Sequence, residues 1–329
     1  MRSITLLVLF FWGLGTIQAQ KKQEVFFLKN NGKHVNSKDS ADFIRVIEEP
    51  DSGTTDFIFA EQYVNGKVKT RGFVSKFDPV FVYEGQLLKY RENGSKESLT
   101  IYSKGEPIGK GYCFFNDGKI KSIMNYDSVS TFFPKSMPYN FQMTPYRLEY
   151  YADSLGAVLV RDGKGYFKEH SKRSNGEELV EEGGYVDGLK EGLWTEKNAS
   201  GTYWYKEKFL RGAFISGESF KDGQFYIYSV ENEVPAFKGG IERFYRYLSK
   251  KVRYPADAYR AKISGKVFLS FVVEKDGSLT EVNVDRGVST SIDQEAVRVL
   301  KQSPNWVPGK QHGLPVRVKY NIPISFSLN

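Results

Sequence analysis

Cysteine, histidine and clustered proline are scarce in this 329-residue chain, and each shortage removes a class of function. The one cysteine, Cys113, allows neither a disulfide within the chain nor a thiolate cluster. His34, His170 and His312 are far apart and fit no metal-binding spacing, so neither a metal nor a cofactor is expected. Gly-x-Ser-x-Gly elbows and phosphate-cradling glycine loops are missing too, and the chain is not expected to be an enzyme. Asp276, Asp285 and Asp293 fall near turns or helix starts, where turn and capping chemistry accounts for them. The 12 prolines include no Pro-Pro pair and supply no extended polyproline spacer. Beyond the first 17 residues no stretch is apolar enough to cross a bilayer.

At the start of the chain, Met1-Arg2-Ser3 is basic, residues 4–17 are apolar, and Ile17-Gln18-Ala19 offers a cleavage site. Fourteen apolar residues fall short of the roughly 20 that span the hydrocarbon core. Residues 1–19 therefore read as a cleaved signal peptide delivering a periplasmic protein; the alternative is an uncleaved inner-membrane anchor over residues 4–17.

From residue 20 to 230 the chain reads as an all-β repeat region of short hairpins. Asn65-Gly66-Lys67, Asn93-Gly94-Ser95 and Asp117-Gly118-Lys119 each follow an aromatic residue, at intervals of 28 and 24. Gly184 to Gly188 and Phe209 to Gly212 repeat the pattern 24 apart. Such periods indicate units that bury their apolar faces against one another, and Asn-Gly or Asp-Gly between alternating aromatics indicates hairpins. The signal fades over about 124–159, where Phe132 to Tyr139 reads as part of a divergent insert. Residues 231–234 read as a short polar linker.

Residues 235–329 carry an ordered set of signals for an α+β domain, two or three short helices on a three-stranded antiparallel sheet. Pro255 suits a helix start, and Val267, Leu269, Phe271 and Val273 share one strand face. Asp276-Gly277 turns the chain into a partner strand over 279–288. Ser291 and Gln294 read as a capping box for a helix whose stripe is Ile292, Ala296, Val299 and Leu300. The strictest alternation closes the chain, with Val316, Val318, Tyr320, Ile322, Ile324 and Phe326 inward. Pro323 cannot donate to a ladder, so this strand belongs at a sheet edge. The main chains of Arg317, Lys319, Asn321 and Ser325 then face outward, open to an added strand, unless Pro323 serves only to guard that edge against aggregation.

This terminal domain holds 16 Lys and Arg against 8 Asp and Glu, while the rest of the chain balances at 31 of each, so the net charge of +8 sits here. Such a field raises encounter rates with acidic peptides and anionic surfaces. No nucleic-acid-binding signature accompanies it, and nucleic acid is not an expected partner.

The order Tyr254-Pro255, Ala258, Gly265, Val267, Phe271, Val273, Asp276-Gly277, Val282, Val284, Trp306 and Pro308-Gly309 resembles the C-terminal domain of TonB. Phe237 to Gly240 and Pro315 through Pro323 are similar to the variant found in Bacteroidetes. The stretch from Gly183 to Trp194 resembles a degenerate MORN-type repeat. The TonB resemblance implies a module that captures the TonB box, a short extended peptide of an outer-membrane TonB-dependent receptor, in support of energy-coupled transport. It also brings in peptidoglycan and inner-membrane transport components as further partners. Energised transducers of this kind carry an anchor helix and a proline-rich spacer; this chain matches neither, and energy transduction by it alone is not expected. The alternative is a structural envelope scaffold: the repeat array holds a protein or glycan, and the terminal domain forms a homodimer or contacts peptidoglycan.

Overall fold

Two turn types fold most of the chain into hairpins. In the computed structural model, which describes residues 21–30, 32, 34–77, 81–126, 146–173 and 175–328, the Asn-Gly and Asp-Gly signals share one geometry. The N–H of Tyr63 donates to the Lys67 carbonyl, Gly66 donates back to the Tyr63 carbonyl, and the Asn65 side chain accepts from the Lys67 N–H. The same pattern recurs at 91–95, 115–119 and 173–177, and its two main-chain bonds also at 153–157. Its glycines have φ between 83° and 93°, the left-handed region where a Cβ is penalised. Between these turns lie two-residue ones, such as Lys104-Gly105 and Asp222-Gly223, with both φ values positive, as the tight twist of a hairpin requires. The expected leader and the Phe132–Tyr139 stretch lie outside the described residues.

The chain divides into two units, residues 1–130 with 146–165, and 131–145 with 166–329. The first holds β1 (Gln23–Leu28), β2 (His34–Val35), β3 (Phe43–Glu48), β4 (Phe57–Tyr63), β5 (Val68–Lys76), β6 (Val82–Tyr90), β7 (Lys96–Ser103), β8 (Glu106–Phe114), β9 (Ile120–Asn125), β10 (Arg147–Ala152) and β11 (Val158–Arg161). β1 pairs with β2 and β3, and from β3 onward each strand pairs antiparallel with the next. Ile47, Phe59, Val74 and Leu87 form a buried cluster under Phe57, Phe81, Tyr83 and Tyr102. β10 and β11 continue the ladder, so the sequence interruption is narrower than 124–159: the Asp153–Ala157 turn keeps its chemistry where the aromatic period is lost.

β12 (Lys164–Lys172) leads into the second unit, where β13 (Glu178–Val186), β14 (Leu189–Asn198), β15 (Tyr203–Leu210), β16 (Ala213–Lys221) and β17 (Gln224–Tyr228) continue the meander. There follow β18 (Asn232–Glu233), α1 (Ile241–Lys251), α2 (Ala256–Arg260), β19 (Gly265–Val273), β20 (Leu279–Arg286), α3 (Thr290–Lys301), β21 (Gly309–Gln311), β22 (Leu314–Val316) and β23 (Val318–Phe326). One three-stranded sheet runs β20-β19-β23, and another runs β18-β21-β22. The first is the expected sheet. Its central strand buries Val267, Leu269, Phe271 and Val273, and the α3 stripe of Ile292, Ala296, Val299 and Leu300 is fully buried in the same core. Each of the larger side chains, Ala296 aside, contributes about 1.5–3 kcal/mol by leaving water.

Three expectations are corrected. The 231–234 linker is not a free tether: Asn232 and Glu233 pair with Gln311 and Lys310, and the whole segment lies inside the second unit. Its polar composition hid main-chain pairing, which needs no particular side chain. The helix cap is Ser289, whose hydroxyl accepts from the Ile292 N–H at 3.4 Å, rather than the Ser291–Gln294 box; a serine two residues earlier competes for the same role. The final strand also starts at Val318, not Val316. Val316 belongs to β22, and Arg317 lies between the two strands, because the chain leaves one sheet and enters another there.

Candidate peptide-binding edge

β23 pairs along its whole length with β19, from Val318↔Val273 to Phe326↔Gly265, and among the described residues it has no second strand neighbour. Pro323 faces Phe268. Lacking an N–H, a proline fits only where its nitrogen points away from the ladder, and antiparallel pairs alternate between bonded and unbonded. That parity assigns Lys319, Asn321 and Ser325, opposite Val272, Ser270 and Lys266, to unbonded pairs as well. Their N–H and C=O groups point away from β19. Asn321, Pro323 and Ser325 are exposed, while Ile322, Ile324 and Phe326 are buried.

Arg317, the fourth edge residue read from the sequence, is placed differently. Its guanidinium Nε donates to Glu274 Oε1 at 2.9 Å and its Nη2 to Glu281 Oε1 at 2.6 Å. Glu281 sits at φ 49°, where a register shift in β20 turns it out of the ladder, and its carboxylate meets Arg317. Arg317 therefore ties the start of β23 to the β19–β20 hairpin instead of extending the open edge. Its pKa is raised by the Glu281 and Glu274 bonds, and that of Glu274 is lowered by Thr280 and then Arg317.

The motif residues hold this edge from both ends. Trp306 is buried among Phe237, Phe244, Phe271 and Tyr320, with ring centroids 5.4–5.9 Å away, and so backs the first half of β23. Its main-chain N–H donates to the Gly277 carbonyl at 2.8 Å, and a Cβ on Gly277 would overlap the Trp306 carbonyl oxygen. The Asp276-Gly277 turn, closed by Asp276 Oδ1 accepting from the Ser278 N–H at 2.9 Å, is thus docked on the tryptophan segment. Gly309 is buried where a Cβ would approach Val318 at 2.7 Å. Pro308, beside it, is half-buried. At the far end, the Tyr254 ring lies 5.9 Å from Phe326 and its hydroxyl donates to the Ile263 carbonyl; Pro255 stands at the N-cap of α2. Gly265 opens β19 against Val288, whose Cγ2 would lie 2.8 Å from a Cβ there.

Sequence reasoning missed α1, whose Phe244 and Leu248 complete the core around Phe237, and the β21–β22 hairpin. His312-Gly313, with φ 52° and 74°, carried the two-residue turn signal that reveals the hairpin. Its tip packs on the β15–β17 sheet. His312 stacks on Tyr205 at 4.0 Å, its Nδ1 lies 2.6 Å from Glu207 Oε1, and its carbonyl accepts from Ser219 Oγ at 2.7 Å. Tyr228 also donates to Glu207 Oε1, at 2.9 Å. Burial raises the pKa of nearby Glu231 and Glu196.

The terminal module is thus an α+β domain of helices on a three-stranded antiparallel sheet, with one long edge strand whose proline nitrogen is turned away from its partner. Residues 250–328 match the family described as Gram-negative bacterial TonB protein C-terminal, and this part of the chain is a TonB C-terminal domain. Two curated relatives, each named Protein TonB and from two strains of Helicobacter pylori, are 29% identical over 103 residues. The alignment covers 30% of this chain and 35% of each relative, about a third of their length. Solution structures of the Helicobacter pylori TonB C-terminal domain are 28% identical, covering 27% and 26% of this chain and 79% and 90% of theirs, with TM-scores of 0.22 and 0.21. Phe237 and most of α1 precede the matched residues yet pack into the same core.

Acid should loosen this domain through Glu295. Its carboxylate accepts from Arg298 at 2.6 and 2.7 Å and from the Arg253 N–H at 2.6 Å, and these bonds lower its pKa. A depressed pKa contributes stability above the ordinary glutamate value of 4.5 that is lost as pH falls through the folded-state value. Thermal unfolding across that range should show the loss, and Glu295→Gln should flatten it; an unchanged slope in the variant would discount the Arg298 pair.

Proposed function

We propose that the terminal domain binds an extended peptide by adding it as a strand along β23, the peptide being the TonB box of an outer-membrane receptor, and that the chain acts in the periplasm in support of energy-coupled transport. The observation that carries this reading is the open edge of β23, where Asn321 and Ser325 turn their main chains away from β19. Main-chain hydrogen bonds supply affinity in such recognition, and the missing N–H at Pro323 helps set the register. The surplus of 16 basic over 8 acidic residues in this domain favours acidic segments near the box.

Titration of the full chain with TonB-box peptides tests it. Binding should be lost in Asn321→Pro, which removes an outward N–H but no bond to β19, while thermal unfolding stays close to that of the parent. Binding that survives Asn321→Pro, or fails in the parent at millimolar peptide, would remove the proposal.

A further inference from the structure

Edge strands are usually protected by lysine, proline, bulges or inward charge. β23 carries Lys319 and Pro323, and β20 carries Glu281, Asp285 and two register shifts. β17 is different. Its sequence, Gln224-Phe225-Tyr226-Ile227-Tyr228, has no charge and no proline, and among the described residues its residue-by-residue register is with β16 alone. Phe225 and Ile227 are 70% and 89% exposed on the same face. Trp204 and Phe220 extend that apolar face, with ring centroids 5.7 and 4.8 Å from Phe225.

The register selects the occupant. Asp222-Gly223 is a two-residue turn, so Lys221 and Gln224 flanking it form a bonded pair, as do Ser219–Tyr226 and Gly217–Tyr228 two and four residues on. Phe220–Phe225 and Glu218–Ile227 are the unbonded pairs, which turns the main chains of Phe225 and Ile227 toward the open side. These two residues lie symmetrically about Tyr226. A second β17, antiparallel and related by a two-fold axis at Tyr226, satisfies all of these groups: Phe225 bonds Ile227 of the other copy, and the reverse. The same register sets each exposed Phe225 side chain against the other copy's Ile227 on one face, a cross-strand pair that favours association.

We propose that the chain forms a two-fold dimer by antiparallel pairing of β17 with β17 of a second copy, joining two repeat sheets edge to edge. The contact is isologous and therefore closes at two chains. It uses none of the β23 edge, so peptide binding and dimerisation fail separately.

Light scattering on the full chain at high micromolar concentration should give twice the mass of one chain. Ile227→Lys should return the mass to a single chain with unchanged circular dichroism and melting, since that side chain is exposed within one copy. In a Cys113→Ser background, Tyr226→Cys should form a disulfide-linked dimer under mild oxidation. Facing residues of an unbonded pair have Cα atoms about 4.5 Å apart, within disulfide reach. Gln224→Cys should not cross-link, because the two copies of position 224 lie four residues, roughly 13 Å, apart along the strands. A single-chain mass for the parent, a two-chain mass that persists in Ile227→Lys, or cross-linking as strong at 224 as at 226 would each overturn the proposal.

Discussion

Replacing Trp306 with alanine is expected to destabilise the second unit by about 3–5 kcal/mol, the cost of emptying a buried aromatic site. Trp306 is 4% exposed and touches α1 through Phe244, β19 through Phe271, β23 through Tyr320 and the entering chain through Phe237. No one of these neighbours can fill the hole without leaving another. Gly277→Ala should act on the same contact from the other side, since at φ 83° a Cβ is strained and overlaps the Trp306 carbonyl. Denaturant unfolding measures both. Val307→Ala, at an exposed neighbour, should stay within about 0.5 kcal/mol and serves as the control. Should Trp306→Ala unfold no earlier than that control, the aromatic hub does not hold the edge.

Glu207→Ala is the second large effect, and it acts through the β21–β22 hairpin. The Glu207 side chain is fully buried, bonded to His312 Nδ1 and the Tyr228 hydroxyl, and its Oε2 makes no hydrogen bond among the described residues. Removing this buried acceptor leaves the His312 ring nitrogen and the Tyr228 hydroxyl without a partner, at about 1–3 kcal/mol for each group left unsatisfied. The loss should appear as faster amide exchange over 309–316, beginning with the His312 N–H that donates to the Glu231 carbonyl. His312→Leu should do the same. The double variant should recover part of the loss, since neither buried group is then orphaned. Unaltered protection of the β21–β22 hairpin in Glu207→Ala would show that Tyr205 stacking and Ser219 suffice to hold it.

Legibility from the sequence followed the range of the physical signal. The Asn-Gly and Asp-Gly turns were readable because left-handed φ and the Asx bond are set within five residues. The α3 stripe and the alternation of β23 were readable because burial of one face repeats at 3.6 and at 2 residues. Pro323 announced an edge because a missing N–H excludes a central position. Harder was Arg317, whose neighbours alternate as a strand should; only the switch between two sheets and the carboxylates of Glu274 and Glu281 take it out of the ladder. The pairing of residues 232–233 with 310–311 was illegible for a related reason, since main-chain bonding leaves no mark on side-chain type.

The sequence by itself determined the hairpin units, the composition of the terminal core and the outward turn of Pro323, all consequences of local stereochemistry and of apolar periodicity. Tertiary structure alone decided which contacts lie across the chain: the seating of His312 on Glu207, 105 residues earlier, and the docking of Gly277 on Trp306. Such contacts join residues far apart in the chain, and packing between elements selects them.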